Sequence, residues 1–331
     1  MKSTRFNATS RRLFAAACLS LGAVGTASAQ VQSFPERPIR FIVPFAPGGA
    51  TDLMARTVAS KINEAWKQPV IVDNRGGGGG NIAAQMAARS APDGYTWFIG
   101  TISTLSTNVA AYRTLPYDPL RDFDPVTLTA ITPFFIVVHP SLPVKTLGEL
   151  IASAKARPGK INYGSSGTGG GAHLVVAYFA MTANIDLFHV PYKGAGPLTT
   201  DLLGGQIQLA FSQPPSAVPH VKAGKLRALA VTYGKRVAQL PEIPTMAEAG
   251  LPGFEATSWQ GIVLPRGVSP ALQEKILAEV RRVLTLPDFR ERLAAEGSEP
   301  GGISPAEFRR HMEREIAKWT AVVQKLGIKL D

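Results

Sequence analysis

The sequence predicts an α/β protein whose two lobes face a common cleft, and three observations support this prediction. Short apolar runs alternate with helical periods along the chain, which is typical of mostly parallel sheets covered by helices. A glycine-rich turn joins a strand to a helix in the first half of the chain and again in the second half. The roughly 300 residues that follow an N-terminal export signal suit one large domain or two of ordinary size.

The predicted strands are short runs rich in β-branched and other apolar residues. Helical periods lie between many of them; Met54, Val58 and Ile62, for example, share one helical face. We find neither a low-complexity linker nor a short repeat. The strands are predicted at 39–45, 70–73, 95–100, 134–139, 160–163, 187–191, 207–212, 226–232 and 259–264.

Residues 1–29 have the pattern of an export signal, not of a membrane span. Basic residues without any acid precede an apolar stretch, and Ala27-Ser28-Ala29 fits a cleavage site. Arg11-Arg12 also fits a twin-arginine signal, so the Sec and twin-arginine routes both stay open. We expect the mature protein to be exported.

Composition excludes several classes of function. The only cysteine, Cys18, lies within the signal, so the mature chain has no thiol nucleophile, thiolate metal site or disulfide. The chain has 35 Lys and Arg, four of them in the signal, and 24 Asp and Glu. The 31 basic residues that remain give the mature chain a net charge of +7. This excess attracts anions, but the basic residues form no run that would bind nucleic acid. The five histidines have no metal-binding spacing, and we expect no metal and no cofactor.

Two glycine loops are candidate anion sites. VPFAPGGATD at 43–52 and INYGSSGTGGGAH at 161–173 each pass from a strand through glycines into a helix. A helix start offers unpaired N–H donors and a partial positive charge, and glycine lets a carboxylate approach the backbone. Asp52 would be a poor partner for an anion and is expected to cap its own helix or to hold water. NRGGGGGN at 74–81 is a third, similar loop.

Enzyme patterns match these loops poorly. No loop has the lysine of a P-loop, and the match of 167–172 to a dinucleotide fingerprint is weak. A serine hydrolase using Ser166 or Ser165, with His173 and Asp186, stays open as an alternative, although the G-x-S-x-G elbow is incomplete. The lack of a catalytic constellation favours a binding protein.

Long ordered segments resemble one family. FPERPIRFIVPFAPGGATDLMAR, QPVIVDNRGGGGGN, LPYDPLRDFDPVTL, VVHPSLPVKTLGELI, INYGSSGTGGGAHL, HVPYKGAGP and LPEIPTMAEAGLPGFEATSWQGIVLP are similar to the receptors of tripartite tricarboxylate transporters, also called Bug receptors. The resemblance covers essentially the whole mature chain. It implies a periplasmic, two-lobe Venus flytrap fold of the type II periplasmic-binding-protein kind, which holds a carboxylate between glycine loops of the two lobes.

The resemblance also assigns binding positions in this sequence. The loop residues 46–52 and 165–169, the ends of the strands at 95–100 and 207–212, and the loop at 192–195 correspond to walls of the cleft. Serine at 212, where an acid is common, argues against an amino-acid ligand. Lys193 either binds the anion or is solvated, and His173 is expected to support its loop. The implied ligand-binding residues are Ala46, Gly48, Gly49, Thr51, Asp52, Thr101, Ser103, Ser165, Ser166, Thr168, Gly169, His173, Lys193 and Ser212.

The same resemblance implies lobes and partners. Lobe 1 is expected at 30–130 and 227–331, including the C-terminal helices, and lobe 2 at 131–226. The implied function is a monomeric periplasmic receptor that is not an enzyme. It would deliver a dicarboxylate, tricarboxylate or aromatic acid to inner-membrane permease subunits of a tripartite transporter, or to a sensor protein.

Overall fold

The computed structural model describes residues 33–165, 171–192 and 194–327, which form two sheets flanked by helices. The strands are β1 (Ile39–Val43), β2 (Val70–Asn74), β3 (Thr96–Thr101), β4 (Phe123–Pro133), β5 (Phe135–Val138), β6 (Asn162–Ser165), β7 (Phe188–Pro191), β8 (Leu209–Ser212), β9 (Arg227–Val231), β10 (Thr257–Pro265) and β11 (Glu299–Pro300). The α-helices are α1 (Ala50–Trp66), α2 (Asn81–Ala88), α3 (Asn108–Ala111), α4 (Leu147–Ala156), α5 (Gly171–Ala183), α6 (Ala195–Leu203), α7 (Pro214–Lys222), α8 (Pro270–Thr285), α9 (Pro287–Ala295) and α10 (Pro305–Leu326).

Each lobe is built on one sheet. The first has six strands in the order β11-β4-β10-β3-β1-β2, and the second has five in the order β7-β6-β8-β5-β9. The predicted α/β fold with two lobes is thereby confirmed. Within the described part of the chain, no helix combines the length and the apolar composition that crossing a bilayer requires.

The sheets are mixed rather than mostly parallel. β1 runs parallel to β2 and β3, and β6 runs parallel to β7 and β8, but the remaining neighbours are antiparallel. The antiparallel strands include those that carry the chain from one sheet to the other. β5 follows β4 after Phe134 alone, so the chain passes from the first sheet directly into the second.

The lobe boundaries differ from the expected ones. β4 stays in the first sheet through Pro133, so the chain leaves lobe 1 at Phe134 and not at residue 131. β9 pairs with β5 from Val138↔Arg227 to Phe135↔Val231, so it belongs to the second sheet. The chain therefore stays in the second sheet through Val231 and rejoins the first sheet at β10, not at residue 227, because β9 completes the edge of the second sheet.

Hydrogen bonds join the two passages between the lobes. The Phe134 N–H donates to Oγ1 of Thr232 at 3.0 Å, and the Thr232 N–H donates to the Phe134 carbonyl at 2.9 Å. Oγ1 of Thr232 also donates to the Ala256 carbonyl at 2.6 Å. Thr232 is fully buried. One side chain thus connects the outgoing segment, the returning segment and the start of β10.

β4 is the long strand that the sequence pattern missed. It contains Pro125 and several threonines, so it lacks the apolar run that marks the other strands. Thr127 and Thr129 are nevertheless fully buried. Their hydroxyls donate to the carbonyls of Ile303 and Gln260, which satisfies the polar groups inside the protein.

The last helix, α10, packs on the first lobe at Gly261 of β10. Phe308 and Trp319 on its apolar face are fully buried. A methyl group placed on Gly261 would lie 2.8 Å from the Thr127 carbonyl oxygen and 2.5 Å from Cζ of Phe308. Glycine at this position lets β4, β10 and α10 approach one another.

We therefore expect Gly261→Ala to lower the free energy of unfolding by about 2 kcal/mol, because the added methyl overpacks this contact. Gly148→Ala is the matched control: it lies in the exposed first turn of α4, where the nearest atom to an added methyl is 3.9 Å away. That change should leave stability unchanged or raise it by up to about 1 kcal/mol. Urea unfolding of both variants checks this, and equal effects would contradict the packing described.

Candidate functional site

The first glycine loop turns β1 into α1 with the start of the helix exposed. Gly48 has φ +89°, a conformation that favours glycine, and Gly49 is the N-cap. No side chain caps this helix. The backbone N–H groups of its first turn are therefore the natural donors for a ligand.

Asp52 stabilises the first loop from within. Its carboxylate accepts hydrogen bonds from the Gly48 N–H at 2.8 Å, from Nε of Arg56 at 3.0 Å and from Nδ2 of Asn74 at 2.9 Å. The side chain is only 2% exposed. Burial alone would raise the pKa of Asp52, but the hydrogen bonds from Arg56, Gly48 and Asn74 outweigh it and hold the pKa below its ordinary value. Asp52 thus bonds to its own loop and to the neighbouring β2.

A second part of the first lobe reaches the cleft where β3 ends. A π-helical turn, Ser103–Thr107, follows Thr101 directly. The Thr101 N–H donates to Oγ1 of Thr104 at 3.0 Å. Oγ1 of Thr101 itself is buried and has no hydrogen-bond partner among the residues that the structure describes, and the residue is 7% exposed. A buried hydroxyl without a partner is costly, which marks this atom as a candidate ligand contact.

The second lobe places two histidines behind its glycine loop. Oγ of Ser165, at the end of β6, lies 2.7 Å from Nε2 of His189. The rings of His189 and His173 stack with their centroids 4.0 Å apart, and the Tyr163 ring also stacks with His189, at 4.9 Å between centroids. Burial, together with the neighbouring His189, lowers the pKa of His173 to about 4, and burial lowers the pKa of His189 as well.

Four predicted binding residues lie outside the described part of the chain: Ser166, Thr168, Gly169 and Lys193. Their neighbours Gly171 and Ala172 begin α5 and line the cleft described next.

A cavity of about 240 Å³, which we call the first chamber, lies between the lobes. It is lined by Thr51, Thr101, Ser103 and Ser212 of the predicted set, whereas Ala46, Gly48 and Gly49 do not line it. Ser165 and His173 are buried behind it. The described residues that line it are Phe45, Thr51, Thr101, Ile102, Ser103 and Ser258 from the first lobe, and Phe134, Gly171, Ala172, Ala195, Leu198, Thr199, Phe211, Ser212, Gln213 and Ser216 from the rest of the cleft.

Helix starts converge on the first chamber. α1, α5, α6 and α7 all begin at its wall, and the starts of α1, α6 and α7 have no side-chain cap. Each start carries a partial positive charge of about half a unit. No described residue that lines this chamber is charged. The arrangement therefore favours an anion that is bound by backbone N–H groups and hydroxyls.

A neighbouring cavity of about 300 Å³, the second chamber, shares Thr51, Thr101, Gln213 and Ser258 with the first. Its other walls are Ala50, Leu53, Met54, Thr132, Pro215, Trp259, Gln260, Glu296 and Ser298.

Among the described residues, the geometry does not assemble a serine triad from Ser165, His173 and Asp186, and Ser166, the other serine of that alternative, lies outside them. Asp186 precedes β7 and Ser165 ends the parallel β6, so the two side chains are at opposite ends of the sheet. Ser165 is fully buried, which prevents access to a substrate carbonyl.

Sequence reasoning missed several polar wall residues. Ser258, Ser216 and Thr199 line the first chamber, but none lies in a glycine loop. Ser258 belongs to β10 and lies next to Trp259, in a family segment that contains none of the predicted binding residues. Ser216 and Thr199 lie in the first turns of α7 and α6, so only a prediction of which helix starts converge would have found them.

Two lobes joined by two adjacent passages, with a cavity between them whose described walls carry no charge, are typical of a solute-binding protein. The chain belongs to the tripartite tricarboxylate transporter receptor family, whose model matches residues 54–328. It is similar to the protein BugT of Bordetella pertussis, with 36% identity over 96% of this chain and 98% of BugT.

Solved structures agree with this assignment. One is an R. palustris protein determined with adipate, 40% identical, with a TM-score of 0.76 over 89% of this chain and 99% of that one. Another is MatC from Rhodopseudomonas palustris with bound malate, 32% identical, with a TM-score of 0.72 over 88% of this chain and 100% of that one.

The lowered pKa of His173 predicts an acid-sensitive second lobe. Between pH 6.5 and about 4, the unfolded chain binds a proton that folded His173 does not, so stability falls as the pH falls through this window. His173→Phe keeps a ring against His189 and removes this titration. Urea unfolding from pH 7.5 to 4.5 should show the variant losing less stability than the native chain, by at most about 3 kcal/mol. Parallel pH profiles would contradict the assignment.

Proposed function

We propose that this protein is a periplasmic receptor that binds a small organic carboxylate in the first chamber and returns it unchanged to a transporter. The observation that carries the proposal is the convergence of helix starts on a chamber without charged walls, beside the unpartnered hydroxyl of Thr101. A carboxylate satisfies both features, because it accepts from N–H and O–H groups without a buried counter-ion.

The two related structures support this ligand class. Their bound molecules, adipate and malate, are carboxylates of different length. A shared fold with a variable ligand is expected where the backbone supplies the anion contacts and the side chains set the rest of the pocket. Ligand identity would then depend on wall residues such as Phe45, Gln213 and Ser258.

Closure of the lobes supplies the signal for transport. The passages at Phe134 and after Val231 form the pivot, with lobe 1 extending to Pro133 and resuming at β10. Ligand contacts from both lobes stabilise the closed form. Residues 1–29 direct export, and the closed monomer is recognised by the inner-membrane permease subunits of a tripartite transporter or, in the alternative, by a sensor protein.

The ligand class is tested first by thermal unfolding of residues 30–331 with carboxylic acids and their amides. An acid present at about 100 times its dissociation constant adds roughly 2.7 kcal/mol, a shift of a few degrees. We expect an acid to shift the melt and its amide not to do so. NMR of the acid after incubation with the protein should show it unchanged. If an ester of the same acid is hydrolysed under these conditions, the serine hydrolase is supported instead. Transport is tested by uptake of the labelled acid in cells with and without the receptor.

Thr101→Val should weaken binding of the stabilising acid at least tenfold, because it removes a hydrogen bond to a charged group. Stability should not fall, since Oγ1 of Thr101 has no partner to lose within the protein. Thr127→Val is the matched control: Oγ1 of Thr127 donates to the Ile303 carbonyl at 2.6 Å, away from the chamber. That change should lower the free energy of unfolding by about 1 kcal/mol without altering affinity. Titration calorimetry distinguishes them, and unchanged affinity in Thr101→Val would remove this hydroxyl from the site.

A further inference from the structure

The two chambers of the cleft differ in the charges of their walls. Both are lined by residues at the starts of α1 and α7, and the first is also lined by the starts of α5 and α6. The second lies at a helix C-terminus: α9 ends at Ala295, its C-cap is Glu296, and both Glu296 and Ser298 line the chamber. The end of a helix carries a partial negative charge.

Glu296 adds a full negative charge to the second chamber. It is the one charged residue among the described residues that line either chamber. Its side chain is 39% exposed and lies 3.2 Å from Nε of Arg292, so the Glu296 carboxylate is partly neutralised but keeps its position on the wall. The Glu296 carboxylate and the negative end of α9 would repel a second carboxylate on the ligand.

Two buried oxygens in the second chamber have no partner. One is Oε1 of Gln260, in β10, and the other is Oγ1 of Thr101, which both chambers share. An amide oxygen accepts and does not donate. A hydrogen-bond donor on the ligand would satisfy the Gln260 oxygen, whereas a carboxylate would leave it unpaired.

The wall between these polar ends is apolar. Leu53, Met54 and Trp259 line the second chamber. The indole N–H of Trp259 donates to the buried carboxylate of Glu315 at 3.1 Å, so it is not available to a ligand. These apolar side chains can therefore cover a methylene chain of the ligand. Trp259 offers the ligand no hydrogen-bond donor, because its N–H is already bonded to Glu315.

We propose that the second chamber is a subsite for the distal end of an elongated ligand, and that this end is a hydrogen-bond donor such as an ammonium or hydroxyl group. The inference rests on the proposed function, because it takes the first chamber as the carboxylate site. It assigns Glu296 and Gln260 as specificity-determining residues. The ligand class is an ω-amino or ω-hydroxy carboxylate.

This class differs from α-amino acids. An α-ammonium group would lie beside the carboxylate in the first chamber, whose described walls have no acidic residue and include Ser212. The acidic group of the cleft, Glu296, lies in the other chamber. The donor must therefore be separated from the carboxylate by a chain.

The test is titration calorimetry of the mature protein with straight-chain ligands of four to eight carbons. At each length we compare the n-alkanoate, the ω-hydroxy acid, the ω-amino acid and the dicarboxylate. At the optimal length, the amino or hydroxy acid should bind at least tenfold more tightly than the dicarboxylate and the alkanoate.

Glu296→Gln removes the negative charge of this side chain and nearly keeps its shape. It should weaken binding of the ω-amino acid at least threefold, strengthen binding of the dicarboxylate and leave the affinity for the alkanoate unchanged. Glu299→Gln is the matched control, because it removes a negative charge three positions away, at a side chain that does not line the chamber. It should alter none of these affinities. Gln260→Met should weaken both donor-ended ligands and spare the alkanoate.

The outcomes separate the two proposals. If the dicarboxylate binds most tightly and Glu296→Gln has no effect, the subsite is wrong while the carboxylate receptor stands. If alkanoates and donor-ended acids bind equally, the second chamber makes no contact and the inference is also wrong. If no carboxylate of any length binds, the proposed function itself fails.

Discussion

The hydrogen bonds of Thr232 fix the geometry on which the cleft depends. Its hydroxyl and backbone tie Phe134, where the chain leaves the first lobe, to Ala256, just before it returns. Because these bonds are buried, losing one would leave an unpaired polar group. The two passages consequently act as one narrow joint. The joint brings the strand ends of both sheets, and the helices that follow them, to a common cavity.

Around that cavity, the described walls offer helix starts and hydroxyls but no charged side chain. Three helices that begin there have Gly49, Gly194 and Gln213 as N-caps, without a side-chain bond. Of those that begin elsewhere, α4, α8 and α10 are capped by threonine or serine hydroxyls, whereas α2, α3 and α9 have no side-chain cap. A side-chain cap would occupy the donors that a ligand needs. Without a side-chain cap, the first loop needs another contact to hold its shape. The buried Asp52 carboxylate provides it, because it accepts a hydrogen bond from the Gly48 N–H.

The receptor fold places no demand on the far end of the ligand, which is where relatives can differ. Adipate and malate occupy related proteins of this fold. In this chain the distal wall is formed by β10 and the end of α9, which come from late in the sequence and far from the glycine loops. Substitutions at Gln260 or Glu296 can therefore change ligand preference without disturbing the anion contacts. On the proposed function, this separation of a backbone anion site from a side-chain wall would let related proteins of one fold bind acids as different as adipate and malate.

The sequence by itself determined the α/β class, the nine apolar strands and the two glycine loops, because apolar periodicity and glycine are local signals. It also singled out Thr51, Thr101, Ser103 and Ser212, through family motifs that end strands or begin helices. Only the tertiary structure decided the rest. β4 was hidden by its threonines and Pro125, and its hydroxyls are satisfied by distant carbonyls. The pairing of β9 with β5 moved the lobe boundary, and the meeting of Glu296, Gln260 and Thr101 at one chamber depends on contacts between segments far apart in the chain. No local pattern encodes such contacts, since they arise only when the sheets pack.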